Sequence, residues 1–221
     1  MDVCIYHIAE IFLFEYYENP SDYTVIPKER LEELRKKAGE EMKRGGYVAA
    51  LQNYDKAQEL NPADAEVRLS RIRCCYHLGR LEEMHEETLR LYPYACTRQE
   101  LAAYYRWLGC WYLEKYQPEL SECVYRYSTL FAPSEQAEEE IRYLEKALGK
   151  KMPAYPLAEM QDKLREAGIP LHASDVTMAL LVKAGEEAET RRLWQQALDC
   201  YRMVFDLTQD EEIGRRIRRL S

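Results

Sequence analysis

The residue types that most often carry catalysis or bind metals form no known motif in this sequence. The four histidines, at positions 7, 77, 85 and 172, show no H-E-x-x-H or other metal-ligand spacing. No phosphate-binding loop, dinucleotide-binding glycine pattern or serine or cysteine nucleophile signature occurs. Acidic runs such as Glu138-Glu139-Glu140 are typical of solvated helix faces. We therefore predict a protein that is not an enzyme, with no catalytic residues, no bound metal and no cofactor.

The cysteines also argue against a metal site or a disulfide framework. There are seven, an odd number, and no two have the C-x-x-C spacing of a zinc or redox site. Cys74 and Cys75 are adjacent, so on a helix their side chains point about 100° apart and cannot readily share a ligand. We expect reduced, mostly buried thiols in a cytoplasmic protein.

Charge and composition exclude one class of partner and favour helices. The 221-residue chain has a formal net charge of −8, whereas proteins that bind nucleic acids usually carry a basic face. Four arginines near the end, at positions 215, 216, 218 and 219, could contact RNA or an acidic partner. Cations in a last helical turn also complement the helix dipole, and we favour that explanation. With only 9 glycines and 9 prolines, the chain is expected to form long helices and to bind no nucleic acid.

The first 17 residues are the only apolar run that could serve as a targeting or membrane segment. The run lacks a basic start and a cleavage site, contains Glu10 and Glu15, and is shorter than the roughly 20 residues of a membrane span. Its apolar residues recur on one helical face: Ile5, Ile8, Ala9, Phe12, Leu13 and Tyr16. We predict a packing helix and linker over residues 1–27 and no membrane contact. This helix could also dock on a second copy of the chain.

From residue 28 onward, apolar residues recur at the helical period and are interrupted by glycine and proline. Helices are predicted over residues 28–44, 47–60, 63–78, 81–91, 135–148, 156–167 and 210–220. Helices of this length joined by tight turns are typical of antiparallel helix pairs. Such pairs suggest a repeat, so the sequence should show a fixed period.

The anchor residues do recur at a fixed period. Gly45 and Gly79 are 34 residues apart. The third segment reads Tyr105-x-x-Leu108-Gly109-x-x-Tyr112, followed by Ser121, Tyr125, Ser128 and Pro133. The last segment repeats these offsets with Gly185, Trp194, Ala197, Tyr201 and Val204. This pattern resembles the tetratricopeptide repeat, with tyrosine in place of tryptophan and serine in place of alanine.

The resemblance implies an all-α, right-handed solenoid of about five antiparallel helix pairs in one domain, residues 1–221. Three repeats are expected over residues 28–133, and a degenerate pair with an insertion over residues 134–173. A last repeat and a capping helix are expected over residues 174–221. Gly109 and Gly185 are expected where the first helix of a pair crosses the second.

In tetratricopeptide arrays the first helix of each pair lines a concave groove. Carrying the family's register over to this chain predicts a peptide-binding groove lined by Arg35, Met42, Leu69, Arg73, Tyr76, His77, Arg106 and Cys110. The three arginines recur in successive repeats, and an arginine fork binds carboxylates. An acidic peptide or a free carboxyl terminus is therefore one candidate ligand. The alternative is ordinary pairing of these arginines with Glu32 and Glu66 on neighbouring helices.

Three functions remain open at this stage. The first is a non-catalytic module that binds an unidentified protein or peptide in the groove. The second is a peptide or small-molecule sensor that acts through a separate output partner. The third is self-assembly through the amino-terminal helix. One subclass of the family holds chaperone tails with lysines and asparagines, but the matching positions here are Arg35, Gly39, Ser70, Ala103 and Trp107. Binding of chaperone tails is therefore not expected.

Overall fold

The computed structural model describes residues 3–4, 26–95, 97–149, 151 and 155–221. These residues form eleven α-helices, one short 3₁₀ turn and two strands of two residues each. The strands are β1 (Val3–Cys4) and β2 (Ile26–Pro27), and the 3₁₀ turn is Tyr92–Tyr94. The helices are α1 (Lys28–Lys43), α2 (Tyr47–Leu60), α3 (Ala65–His77), α4 (Leu81–Leu91), α5 (Arg98–Glu114), α6 (Pro118–Thr129), α7 (Glu135–Leu148), α8 (Leu157–Glu166), α9 (Asp175–Thr190), α10 (Trp194–Thr208) and α11 (Glu211–Leu220).

Local signals explain where these helices begin and end. Side chains of Asp64, Ser134 and Ser174 accept a hydrogen bond from a backbone N–H in the first turn of α3, α7 and α9. Gly45 and Gly79 follow α1 and α3 with positive φ, a conformation that costs glycine little. The predicted helix ends agree with the observed ones to within two residues, because caps and glycines are legible in the sequence.

Four helix pairs form as the repeat predicts: α1 with α2, α3 with α4, α5 with α6, and α9 with α10. Both predicted glycine crossings are confirmed. A Cβ added at Gly109 would lie 3.0 Å from the ring of Tyr125, and one at Gly185 would lie 2.5 Å from the ring of Tyr201. Glycine is needed at both positions because the aromatic ring of the second helix occupies the space of a side chain.

The two helices predicted as a degenerate pair over residues 134–173 correspond to α7 and α8, and both pack against α6. Tyr125 of α6 contacts Ile141 and the other buried residues of α7, while Met160 of α8 joins the main core beside Cys123. Positions 123 and 125 point about 200° apart on a helix, so α7 and α8 cover different faces of α6.

The last pair also contacts elements from the middle of the chain. Helix α9 contacts the 3₁₀ turn, and α10 contacts α5. The segment before α9 is held by tyrosine hydroxyls: Tyr105 donates to the carbonyl oxygen of Pro170 (2.6 Å) and Tyr127 to that of Leu171 (2.7 Å). Tyr92 donates to the carbonyl oxygen of His172 at 2.9 Å. Three tyrosines thus satisfy three consecutive carbonyl groups.

The predicted packing helix at the amino end lies outside the described residues, apart from Val3–Cys4. These two residues pair antiparallel with Ile26–Pro27, with Val3 opposite Pro27 and Cys4 opposite Ile26. Self-assembly through that helix stays a prediction. Within the described part of the chain, no helix is both long enough and apolar enough to span a bilayer.

Candidate functional site

A cavity of about 330 Å³ lies between α3, α5 and α7, and we call it the arginine cavity. Helix α3 contributes Leu69, Arg73 and Tyr76, which recur at intervals of four and three residues and so share one helix face. Helix α5 contributes Arg106 and Cys110 at the same kind of spacing. The structure therefore brings together these five residues, all of which the repeat register predicts for the groove.

Helix α7 forms a wall of the arginine cavity that the sequence reasoning missed. Its residues Gln136 and Glu140 line the cavity, next to the buried residues Ala137 and Ile141 on the same helix. The helical period of α7 was legible, but α7 was expected to pair with α8. Recognising it as the next groove-lining helix would have placed positions 136 and 140 in the site.

The two arginines of this cavity lack an acidic partner among the described residues. Arg73 is exposed and makes no ion pair or hydrogen bond there. Arg106 donates from Nη1 to Ser134 Oγ at 2.9 Å, while its Nε is buried without a hydrogen-bond partner. Burial lowers the pKa of Arg106, and the positive charge of Arg73 lowers it further. Two like charges therefore face one cavity with spare donors.

Two carboxylates, those of Glu100 and Glu140, also line the arginine cavity, but neither forms an ion pair with Arg73 or Arg106. Glu100 accepts a hydrogen bond from the backbone N–H of Thr97 at 3.0 Å and so caps its own helix. Glu140 forms no ion pair with Arg73 or Arg106. Burial, and after it the charge of Glu139, raise the pKa of Glu140.

A second cavity of about 530 Å³ continues from the first, and we call it the tyrosine–glutamate cavity. The two cavities share Tyr76 and Glu140. The second is otherwise lined by the end of α5, the turn after α5 and the middle of α7: Leu113, Glu114, Tyr116, Glu139 and Tyr143. Arg73 and Arg106 thus line only the first cavity, and Glu114 and Glu139 line only the second. We use the word groove below for the two cavities together.

Cys110 lies between Arg106 and Glu114 on α5, and its thiol is poorly suited to nucleophilic chemistry. Burial, followed by the charges of Glu114 and Glu140, raises the pKa of its thiol to about 12. At neutral pH the thiolate, which is the reactive form, is therefore scarce.

The other three residues predicted for the groove lie elsewhere. Arg35 forms ion pairs with Glu66 and, at 3.8 Å, with Asp64, which is the alternative that the sequence left open. The ring of His77 stacks on that of Tyr47 with 4.3 Å between centroids. Met42 is half-buried and packs against the core. None of these three lines the arginine cavity.

The terminal arginines pair with the last repeat. Arg216 contacts Glu186 at 2.6 Å, and Arg219 contacts Glu189 at 2.5 Å. Both glutamates lie on α9, so α11 covers that face of α9. The preference for a structural role of Arg216 and Arg219 over a nucleic-acid contact agrees with these pairs.

The remaining chemistry of the described residues is limited. No group of three or more histidine, cysteine, aspartate or glutamate side chains among them could hold a metal ion. Five cysteines of this part of the chain, at positions 74, 75, 110, 123 and 200, are free thiols.

Comparisons with known proteins bear on the fold. No protein-family model matches the sequence, and no curated protein sequence matches it. Among solved structures, the chain is similar to the TPR2AB domain of yeast Sti1 in its complex with pHSP90, at 15% identity and a TM-score of 0.48. The match covers 81% of this chain and 64% of that one, so this chain spans less than two thirds of that structure. The helix pairs and the two glycine–tyrosine crossings described above make this an all-α protein of tetratricopeptide-like architecture.

Proposed function

We propose that this protein is a non-catalytic interaction module that binds a peptide or protein segment in the groove and recognises a carboxylate there. The observation that carries the proposal is that Arg73 and Arg106 line one cavity. Neither forms an ion pair with an acidic residue in the described part of the chain. Elsewhere in the same chain, arginines that approach a neighbouring helix meet a carboxylate, as Arg35 does with Glu66. Because Arg73 and Arg106 depart from this pattern, we infer that a bound ligand supplies their carboxylate partner.

The positive charges of Arg73 and Arg106 form no ion pair with a described residue, and this supports the proposal in physical terms. Two guanidinium groups that share a cavity repel each other, and a buried Nε–H without an acceptor costs free energy. A carboxylate placed between them would accept charge-assisted hydrogen bonds, each contributing about 1.5–3 kcal/mol. Binding of such a group therefore removes a cost that the free protein carries.

The apolar part of the cavity supports a peptide rather than an inorganic anion. Leu69, Trp107 and Tyr76 line it beside the arginines, and the rings of Tyr76 and Trp107 meet edge-on with 5.7 Å between centroids. A volume of about 330 Å³ lies at the lower end of the range of ligand pockets. It suits one or two side chains of a bound segment.

The proposal includes a cytoplasmic location. Its support is the five free cysteines, since unpaired thiols persist in a reducing compartment.

The experiment is a selection followed by a binding measurement. Random heptapeptides with free carboxyl termini are selected on the full chain, and one enriched peptide is labelled and measured by fluorescence anisotropy. We expect R73Q and R106Q each to weaken its binding about tenfold or more, as the loss of a charge-assisted hydrogen bond implies. The matched control is R142Q, since Arg142 is exposed on α7 and lines neither cavity.

Two results would contradict the proposal. One is a peptide that binds R73Q, R106Q and the wild-type chain with the same affinity. The other is equal binding of the free-acid and amidated forms of an enriched peptide that contains no Asp or Glu. Circular dichroism melting of each variant distinguishes loss of a contact from loss of the fold.

A second candidate function is a sensor of a small carboxylate, which the compact volume of the arginine cavity also favours. A thermal-shift screen of the full chain with small mono- and dicarboxylates separates the two. A sensor is stabilised by one small acid at micromolar concentration, whereas a peptide-binding module requires the neighbouring residues of the segment.

A further inference from the structure

We infer that the tyrosine–glutamate cavity is a second recognition site, which accepts a basic side chain of the bound segment. This inference rests on the proposed function, because it concerns the same ligand. It specifies that the segment carries a lysine or arginine three or four residues from the carboxylate held by Arg73 and Arg106.

The first observation is a set of aromatic rings that face the cavity. Tyr76 is 39% exposed, Tyr143 is 62% exposed and Tyr116 is 93% exposed. Other tyrosines of the chain are deeply buried and hydrogen-bonded, as Tyr105 is. Exposed rings on three different segments around one cavity can each offer a π-face to a cation.

The second observation is uncompensated negative charge at the same place. Glu114, Glu139 and Glu140 line the cavity, and none of them forms an ion pair within the described part of the chain. By contrast, Glu82, on the neighbouring helix α4, contacts Lys115 at 2.7 Å. Carboxylates beside aromatic rings are the surroundings that an ammonium or guanidinium group prefers.

The third observation is the spacing of the two sites. Arg106 and Glu114 lie on the same helix, eight residues apart, which corresponds to about 12 Å along its axis. An extended peptide advances about 3.3 Å per residue, so three or four residues span this distance. Since Tyr76 and Glu140 line both cavities, one segment can follow the groove from one site to the other.

The experiment moves one positive charge along a probe peptide. The probes are fluorescein-labelled octapeptides of alanine and serine with a carboxyl-terminal leucine and a free carboxylate. A single lysine is placed in turn at each of the second to seventh positions, counted from the carboxyl end. Fluorescence anisotropy with the full chain should show tightest binding when the lysine is three or four residues from the end. We expect this probe to bind about tenfold more tightly than the probe without lysine.

Variants of the protein assign the effect. E114Q combined with E139Q, at two residues that line only the tyrosine–glutamate cavity, should remove the preference for lysine and keep the preference for the free acid over the amide. E138Q is the matched control, since Glu138 is exposed on α7 and lines neither cavity. In a charge exchange, E140K should bind a probe with glutamate at the preferred position better than one with lysine.

The outcomes separate the inference from the proposed function. If the free acid is preferred over the amide but lysine has no preferred position, the inference is wrong and the proposed function stands. If lysine has a preferred position but E114Q/E139Q retains it, the inference is also wrong. If free acid and amide bind alike, or if no probe binds at about 1 mM, the proposed function fails and this inference fails with it.

Discussion

The two faces of α3 carry arginines in opposite situations. On one face, Arg68 and Arg71 both donate to Glu87 of α4, at 2.8 and 2.6 Å. On the other face, Arg73 points into the arginine cavity beside Arg106 and has no carboxylate partner in the described structure. Arg68 and Arg71 thus form ion pairs with Glu87, whereas Arg73, two residues after Arg71, forms none with a described residue.

The difference separates arginines that stabilise the fold from arginines available to a ligand. Glu87 is only 4% exposed, and a third arginine, Arg90, donates to it at 2.9 Å. Removing water from a charge is costly, so this buried group depends on its partners. In the arginine cavity, by contrast, Arg73 and Arg106 form no ion pair with any carboxylate that the structure describes. We therefore predict that substitutions of Glu87 alter the stability of the fold, whereas substitutions of Arg73 or Arg106 alter the binding of the peptide.

The largest expected effect is the loss of the shared carboxylate. E87Q leaves Arg68 buried without its ion pair and should lower the free energy of unfolding by about 3–5 kcal/mol. Urea denaturation measures this change. The control E86Q removes the neighbouring exposed carboxylate, whose pair with Arg90 is 3.5 Å long, and should cost less than about 1 kcal/mol. Equal costs for the two variants would contradict the distinction between buried and exposed arginine pairs.

The next effect concerns the tyrosines that hold the segment before α9. Y105F removes the hydroxyl that donates to the Pro170 carbonyl and should destabilise the protein by about 1–3 kcal/mol, because a buried acceptor loses its donor. Thermal and urea unfolding measure the change. Y143F, at an exposed ring of the groove, should stay within about 0.5 kcal/mol of the wild-type chain. A neutral Y105F would mean that water replaces the hydroxyl.

A charge reversal in the arginine cavity should affect stability in the opposite direction. R73E replaces a repulsive neighbour of Arg106 with a carboxylate and should raise the free energy of unfolding by up to about 1 kcal/mol. Binding of free-acid peptides should be lost at the same time. R142E, on the exposed face of α7, is the control. If R73E were destabilised by more than about 1 kcal/mol, Arg73 would have a structural role.

The smallest expected effect is a pH dependence at Glu122, a buried carboxylate with a single arginine partner, Arg126. One of its oxygens, Oε2, has no hydrogen-bond partner, and burial raises the pKa of this group. A raised pKa in the folded state stabilises the protein below the unfolded pKa, and this contribution disappears as the pH rises through the folded value. E122Q should therefore gain stability relative to the wild-type chain as the pH rises from about 4.3, the usual pKa of a glutamate, into the neutral range. An unchanged difference across that range would contradict the assignment.

The predictable part of the fold is what neighbouring residues determine. Helix ends follow from caps such as Ser134 and from glycines such as Gly79, and the crossings at Gly109 and Gly185 follow from the repeat. The packing of α7 and α8 on different faces of α6 does not follow in this way. Periodicity shows which face of a helix is buried but not which element covers it.

The same limit of periodicity applies to the prediction of the groove residues. The repeat register places Leu69, Arg73 and Arg106 in the groove because they belong to regular helix pairs. It does not decide between a groove role and an ion pair for Arg35, since the ion pair with Glu66 depends on the exact distance between two helices. Tyr92 and Tyr105 donate to carbonyl groups 80 and 65 residues away in the chain. Partners so distant in the chain leave no local signal.

The most direct measurement is the NMR signal of the arginine Nε–H groups, since Arg68 and Arg106 both have a buried Nε without a hydrogen-bond partner. The signals are assigned with R68Q and R106Q and followed while a free-acid peptide from the selection is added. The account predicts a downfield shift of the Arg106 signal with the acid, no such shift with the amide, and an unchanged Arg68 signal. A peptide that binds while the Arg106 signal stays in place would contradict the claim that the groove arginines are held for an external carboxylate.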